Sequence, residues 1–338
     1  MHNRISDRYG ICIHRQGIFL ETWQISKGDR FKMGSIATKI GRQWRIILQV
    51  VLCVGVVVIF IGAWNNLVFN LTEKGLTIGF GFLQSEASFQ IADTPISYSP
   101  TDPYIRAITI GMINTIKVTI VSIFLSTVIG ITIGVCRLSE NWLLRKIALV
   151  YVEAFRNTPL VLQLAFIYGL LLLLPAPQEP LSLFGLVTFD VTGIALAGTG
   201  LKLPPELAAI VLGLSLSTAA FIGEIVRGGI ESVSKGQWEA AKALGLKSTL
   251  AMRLVVFPQA LKIIIPPVTG QYLNVAKNSS LAAVTGYDDF YKITSTVSNQ
   301  TGKEVEGIAI LMLGYLTLSL IIALITDFLN RKVQAKER

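Results

Sequence analysis

The chain has 338 residues, 52% of them apolar and only 15% charged, with a formal net charge of +9. A soluble domain carries about a quarter charged residues, so this deficit, with several long apolar runs, specifies a polytopic membrane protein. Cys12, Cys53 and Cys136 show no pairing or metal spacing, and His2 and His14 both lie in the N-terminal tail, which leaves no histidine-based metal centre or triad.

Residues 1–45 are polar and basic, with Arg4, Arg8, Arg15, Lys27, Arg30, Lys32, Lys39, Arg42 and Arg45 against Asp7, Glu21 and Asp29. The stretch is too long for a signal-peptide n-region and has no small-residue cleavage site after it. It reads as a cytoplasmic tail held by the positive-inside bias, ahead of a lipid- or regulator-binding segment. Nucleic acid is excluded as a partner, because aromatic residues do not interleave with the bases beyond Trp23. A first span covers 46–64. The loop 65–106 holds Glu73, Glu86, Asp93 and Asp102 against Lys74 and Arg106, reads as external, and is expected to be irregular from about 84 to 104.

A second span covers 107–136 and contains Gly130 and Gly134, a small-xxx-small pattern that lets a neighbouring helix approach closely. Arg137, Arg145 and Lys146 mark the next turn as cytoplasmic. The third span is interrupted at Arg156-Asn157-Thr158-Pro159 and resumes over 160–174, since Pro159 lacks an amide proton and biases Thr158 away from helix. Residues 175–205 read as external. The fourth span, 207–226, has a surface of Gly213, Ser215, Ser217, Ala219, Ala220 and Gly223, suited to tight packing or to lining a path. The fifth, 254–275, is expected to be broken by Pro258, Pro266 and Pro267. A polar stretch, 281–302, is partly external, and a sixth span covers 308–328 before the basic tail. Six spans with both ends inside satisfy the charge rule at every loop.

Between the fourth and fifth spans lies the polar stretch 235–259, KGQWEAAKALGLKSTLAMRLVVFPQ. It predicts a short helix on the membrane surface, with Trp238 and Leu244 on its apolar side and Gly245 as the C-terminal stop. Glu239, Ala240, Ala241 and Gly245 resemble, in register, the EAA loop of membrane permeases of ATP-binding-cassette importers. The departure is Phe257, where that family usually has Leu before the proline. The plainer reading is an ordinary amphipathic loop helix.

Other polar groups also carry two readings. Glu224 and Arg227 share a helix face and, with Glu231, form either an interfacial salt-bridge ladder or, through Glu224, a lining of the substrate path that meets an amino group. A broken helix leaves backbone groups that protein or a watery cavity must receive. Thr158 and Gln163 therefore offer polar groups inside the membrane, unless Pro159 merely starts a helix and Arg156 snorkels. Asn278 and Ser279, followed by Ser280, offer similar capacity or are simply a helix end. No G-x-x-x-x-G-K-[ST] occurs, so an ATP-driven motor would have to be another chain.

Further stretches resemble the polar amino acid permeases of the histidine, glutamine, glutamate and arginine type. These are YVEAFRNTPLVLQL at 151–164 and IGEIVRGGIESVSKGQWEAAKALGL at 222–246. KNSSLAAVTGYDDF at 277–290 and NQTGKEVEGIAI at 299–310 are most similar to permeases of general L-amino acid systems. The likeness covers 105–338, and 175–205 is longer than in compact members. It implies an all-α transmembrane, type I importer fold of about six helices, a five-helix core plus one N-terminal span. The expected parts are a cytoplasmic tail (1–45), an extra span and external loop (46–104), a permease domain (105–330) with its coupling loop at 235–259, and a second tail (331–338). It also implies ATP-binding-cassette ATPase subunits docking at Glu239, Ala240, Ala241 and Gly245, a second permease, identical or sister, and an extracytoplasmic amino acid-binding protein. No cofactor is expected on this chain, ATP being bound by the partner subunit, and the setting is the bacterial inner membrane. The competing class is a passive channel or a proton-coupled carrier. A carrier usually shows paired broken helices and several intramembrane acids, whereas this chain offers one break and one candidate acid, Glu224.

Overall fold

The computed structural model describes residues 44, 46–73, 75, 78–196, 198–200 and 202–335. The N-terminal basic tail therefore lies almost wholly outside the described residues. The chain divides into two compact units, Met1–Thr77 and Ile78–Arg338. In the first, helix α1 (Ile46–Glu73) runs nine residues beyond the expected 46–64, and none of its most apolar 18-residue window is buried. A run dominated by exposed Val, Ile and Leu suits a lipid solvent. Near its end Asn70 and Thr72 bond back to the carbonyls of Asn66 and Val68, so the helix itself satisfies them.

The second unit contains α2 (Tyr104–Arg137), α3 (Trp142–Asn157), α4 (Leu160–Leu172), β1 (Leu181–Leu183), β2 (Val187–Asp190), β3 (Gly193–Leu196), β4 (Lys202–Leu203) and α5 (Pro205–Glu231). After these come α6 (Lys235–Ala243), α7 (Ser248–Ala251), α8 (Phe257–Asn278), α9 (Phe290–Thr301) and α10 (Glu304–Ala335). Among the described residues five helices are long and apolar enough to cross a membrane, or six if α3 and α4 count as one span bent by 109°.

α5 is the axis of this unit, with two-thirds of its apolar window (67%) buried. Its small residues are sockets. A Cβ on Gly213 would lie 2.3 Å from Leu164 of α4, and one on Gly229 2.3 Å from Ile264 of α8. α2 lies against α5 in parallel. A Cβ on Gly130 would lie 2.7 Å from Ile222, and one on Gly134 2.7 Å from Val226 and 2.8 Å from the Gly223 carbonyl. Four residues' advance on one helix matches four on the other, so the small-xxx-small pair is a seam of close approach. Ser215, Ala219 and Ala220 are buried as well, so this surface of α5 packs within the chain.

One expectation changes, the break in the fifth span, and three connecting stretches gain detail. The stretch 175–205 carries a four-stranded antiparallel meander in the order β1-β2-β3-β4. Val187, Thr188 and Phe189 give it a β-branched and aromatic run, and Asp190, which accepts from the Thr192 amide at 2.7 Å, closes its second turn. α8 is not broken by its prolines. Pro258 sits in the first turn, where its missing N–H is no loss, and the helix continues through Pro266 and Pro267. The polar stretch 281–302 is largely helical: a 3₁₀ turn, Ser279–Val284, continues from α8, and α9 follows. Residues 78–103 have little regular structure yet are fixed in place. Ala87 is fully buried, Ile91 nearly so, and both pack with Ile108, Phe290 and Ile293.

Candidate coupling loop and substrate path

α6 presents the Glu-Ala-Ala group. Glu239 and Ala240 are exposed, while Ala241 is 2% exposed. Ala241 is thus small for contact within this chain, while Ala240 lies open on the surface. The helix ends as its sequence demands. Gly245 takes a φ of +76°. Its N–H donates to the Lys242 carbonyl at 2.9 Å, and the Leu246 N–H donates to the Ala241 carbonyl at 3.1 Å. This pair of bonds is a Schellman stop, which glycine reaches without a Cβ penalty. Trp238 packs against the cluster of Val233, Val256 and Ala260, as an apolar-side residue should. Leu244 does not. It is 81% exposed, because the stop turns it away from that cluster. The Gln259 amide donates to Gln237 at 3.2 Å and ties α8 to α6. A π-helical turn, Met252–Val256, joins α7 to α8 at this same corner. Such turns are frequent at functional sites.

Glu224 sits close to this end of α5. Its carboxylate accepts from Arg137 of α2 at 3.2 Å and from Arg227 at 2.9 Å, and Arg227 also pairs with Glu231. Sequence spacing identified the Glu224–Arg227–Glu231 ridge but not Arg137, which comes from another helix. The arrangement pins the ends of α2 and α5 together. It also matches Glu224 with two guanidinium groups.

At the bend, the Gln163 amide group donates to the carbonyls of Phe155 and Thr158, both at 2.8 Å. Those are carbonyls that α3 loses partners for when Pro159 interrupts it. Gln163 is 7% exposed and its Oε1 has no partner. Thr158 is exposed and bonds back to the Ala154 carbonyl at 2.8 Å. Thr158 and Gln163 line one cleft of about 500 Å³ with Phe155, Leu162, Phe166 and Leu216.

Asn278 ends α8 and is half-buried. Ser279 is 1% exposed, and its hydroxyl donates to the Ala276 carbonyl at 2.7 Å. The following 3₁₀ turn places Leu281 and Ala282 in the same apolar cluster as Leu160 and Leu164. Thus the bend and the end of α8 border one core, whereas Glu224 stands apart from both in the cluster around Ile222 and Val226.

Beyond this core lies a polar knot that the sequence did not single out. Asp93 pairs with Lys117 and accepts from the Tyr287 hydroxyl at 2.7 Å. Asp288 accepts from the Ala92 amide at 2.8 Å and pairs with Lys292 at 2.8 Å. Asp289 caps α9 by accepting from the Lys292 N–H at 2.8 Å. Burial pushes its carboxyl up to about 6, against the lowering effect of the Lys292 and Tyr291 amides. Burial likewise raises the Tyr287 hydroxyl, with the Asp93 bond adding to it. Among the described residues no group of three or more His, Cys, Asp or Glu could hold a metal ion.

Residues 126–335 match the family described as binding-protein-dependent transport system inner membrane component. The general L-amino acid transport system permease protein AapQ of Rhizobium johnstonii is 38% identical over 86% of this chain and 92% of its own length. The arginine transport system permease protein ArtQ of Bacillus subtilis is 32% identical over 72% of this chain and 99% of its own. A crystal structure of an amino acid ABC transporter with histidines superposes with a TM-score of 0.55 at 28% identity, covering 68% of this chain and 95% of that one.

Proposed function

Because the chain belongs to the inner membrane components of binding-protein-dependent transport systems, a family of membrane permease subunits, we propose that it translocates polar L-amino acids as part of an ATP-driven importer. The type I importer permease fold and the relatives that carry amino acids support this reading. In it, ATP is hydrolysed on separate ATPase subunits, a second permease completes the path, and an extracytoplasmic binding protein delivers the substrate. Both termini lie in the cytoplasm, so α6 faces the ATPases.

The observation that carries the proposal is α6. It is a capped surface helix that exposes Glu239 and Ala240 while Ala241 and Trp238 hold it to the bundle. A helix held this way transmits a push as a rigid body. Glu239, Ala240, Ala241 and Gly245 form the coupling element, and the exposed Leu244 supplies an apolar anchor for a groove in the ATPase. The substrate path runs past Thr158, Gln163, Asn278 and Ser279 at the core and leaves past Glu224. Closure of the ATPases on ATP must favour one orientation of the path over the other for transport to be driven.

The test is uptake into vesicles holding this chain, its ATPase and permease partners and a binding protein. A panel of acidic, basic and neutral L-amino acids is supplied. Uptake should require ATP and stop with Glu239→Arg at unchanged expression. Uptake that persists without ATP or partners would sink the importer reading in favour of a carrier or channel.

A further inference from the structure

In the last turns of α3, Glu153 and Arg156 have no charged partner among the described residues, although they sit where a membrane protein seldom tolerates that. The Tyr151 hydroxyl donates to the Leu216 carbonyl at 2.7 Å, and the Arg156 guanidinium lies 5.5 Å from the centroid of the Phe221 ring. Leu216 and Phe221 belong to the middle of the 27-residue α5. Phe221 is about 15 Å along the helix from its Glu231 end, at 1.5 Å per residue. The last turns of α3 are therefore set well inside the bundle's length, and there Glu153, Arg156 and Asn157 are all exposed. Spacings of three and four place them on one face. Charges in such a setting almost always face protein or water, and many mark ion or substrate routes.

Among the described residues four other acids of the membrane helices are matched, while Glu73, Glu206 and Glu304 stand at helix ends. Glu224 has Arg137 and Arg227, Glu231 has Arg227, Glu306 has Lys303, and Asp327 has Arg331. Among the described residues Glu153 has only the Asn157 amide, at 2.9 Å. Arg156 is drawn the other way, onto the face of Phe221. Three residues apart, the two could pair with each other, yet they do not. Asn157 and Phe221 hold an acid and a base side by side and unjoined.

We propose that Glu153 and Arg156 form a split ion pair that receives the zwitterionic end of an α-amino acid during translocation, Glu153 taking the ammonium group and Arg156 the carboxylate. The guanidinium offers two parallel donors to a carboxylate while its flat face stays on Phe221. Glu224 is the less suitable acid, because an incoming ammonium group would have to displace two arginines. A site that grips the groups common to all α-amino acids leaves the side chain unread. It thus suits a permease whose partners set selectivity. The inference rests on the importer reading above and adds the substrate's common end to it.

The experiment uses the assembled complex in vesicles with saturating, loaded binding protein, measuring uptake and ATP hydrolysis together. Glu153→Gln and Arg156→Gln should each lower uptake at least tenfold while binding-protein-stimulated hydrolysis stays within twofold, since α6 is untouched. Glu153→Asp and Arg156→Lys, which keep the charge and lose the reach or the fork, should fall between. Should either Gln variant fail to assemble, these two decide alone. Uptake within twofold of the parent in the assembled variants overturns the pair. So does a parallel fall of uptake and hydrolysis, which would mark a structural or coupling role. Absence of ATP-driven uptake by the parent complex would instead count against the importer reading itself.

Discussion

At the scale of single residues, Gln163 shows how one side chain can hold a break open. Pro159 removes an amide from the junction of α3 and α4, and the freed carbonyls of Phe155 and Thr158 need a donor. Gln163 reaches both. Gln163→Leu keeps the volume and removes the donors, leaving two buried or half-buried acceptors unpaired at a cost of roughly 1–3 kcal/mol each. Its thermal midpoint in detergent should fall clearly below that of the parent, whereas Gln163→His, which keeps an N–H, should recover part of the loss. An unchanged midpoint in the leucine variant would mean that the bend is held by packing alone. The proline, and with it the break, is legible in the sequence. The donor is not, because four residues past a proline an amide is equally well placed to point into a path.

At the scale of elements, the apolar runs located the spans because lipid leaves a strong compositional mark, and the Gly-and-charge punctuation located α6. What escaped were features made by contacts distant in sequence. Arg137 reaches Glu224 across two helices, and Asp93 meets Lys117 and Tyr287 from a loop that lacks periodicity. The meander at 181–203 escaped for another reason. Its strands are two to four residues long and follow one another so closely that a Pro- and Gly-containing composition masks them. The α9 cap makes a testable statement about pH. Asp289 titrates near 6 in the folded chain against 3.8 ordinarily, because burial disfavours its charge. A raised folded pKa gives stability that is complete below the unfolded value and is lost as pH rises through the folded one. Asp289 should therefore cost the parent stability between about pH 4 and pH 7, on the order of 3 kcal/mol at completion. Asp289→Asn keeps an oxygen for the Lys292 N–H and cannot ionise. The difference in denaturation midpoint between the two should widen in favour of asparagine from pH 5 to pH 8. A difference independent of pH would show that the carboxyl does not titrate there.

At the scale of the whole molecule, the second unit closes its core without the first. Its clusters are drawn entirely from residues 82 onward, and α5 is surrounded by α2, α3, α4 and α8. ArtQ, aligned over 99% of its own length, matches only 72% of this chain, so a relative manages with less. The boundary that matters for stability is then the one at Ile78, ahead of α2 itself, because residues 78–103 contribute buried surface. Ala87 and Ile91 pack on α9, and the buried Asn114 amide donates to the Asp93 and Asp288 carbonyls, both at 2.9 Å. A chain beginning at Ile78 should insert, assemble with its partners and denature within a few degrees of the full chain. A chain beginning at Tyr104 keeps every span of the second unit but strips the cover from Phe290 and Ile293 and takes one acceptor from Asn114. Loss of those apolar contacts alone, at about 25 cal/mol per Å² uncovered, amounts to several kcal/mol. It should therefore elute as aggregate or denature well below the longer one. If both chains behave alike, residues 78–103 rest on the bundle without supporting it. If neither assembles, the first unit is required for assembly.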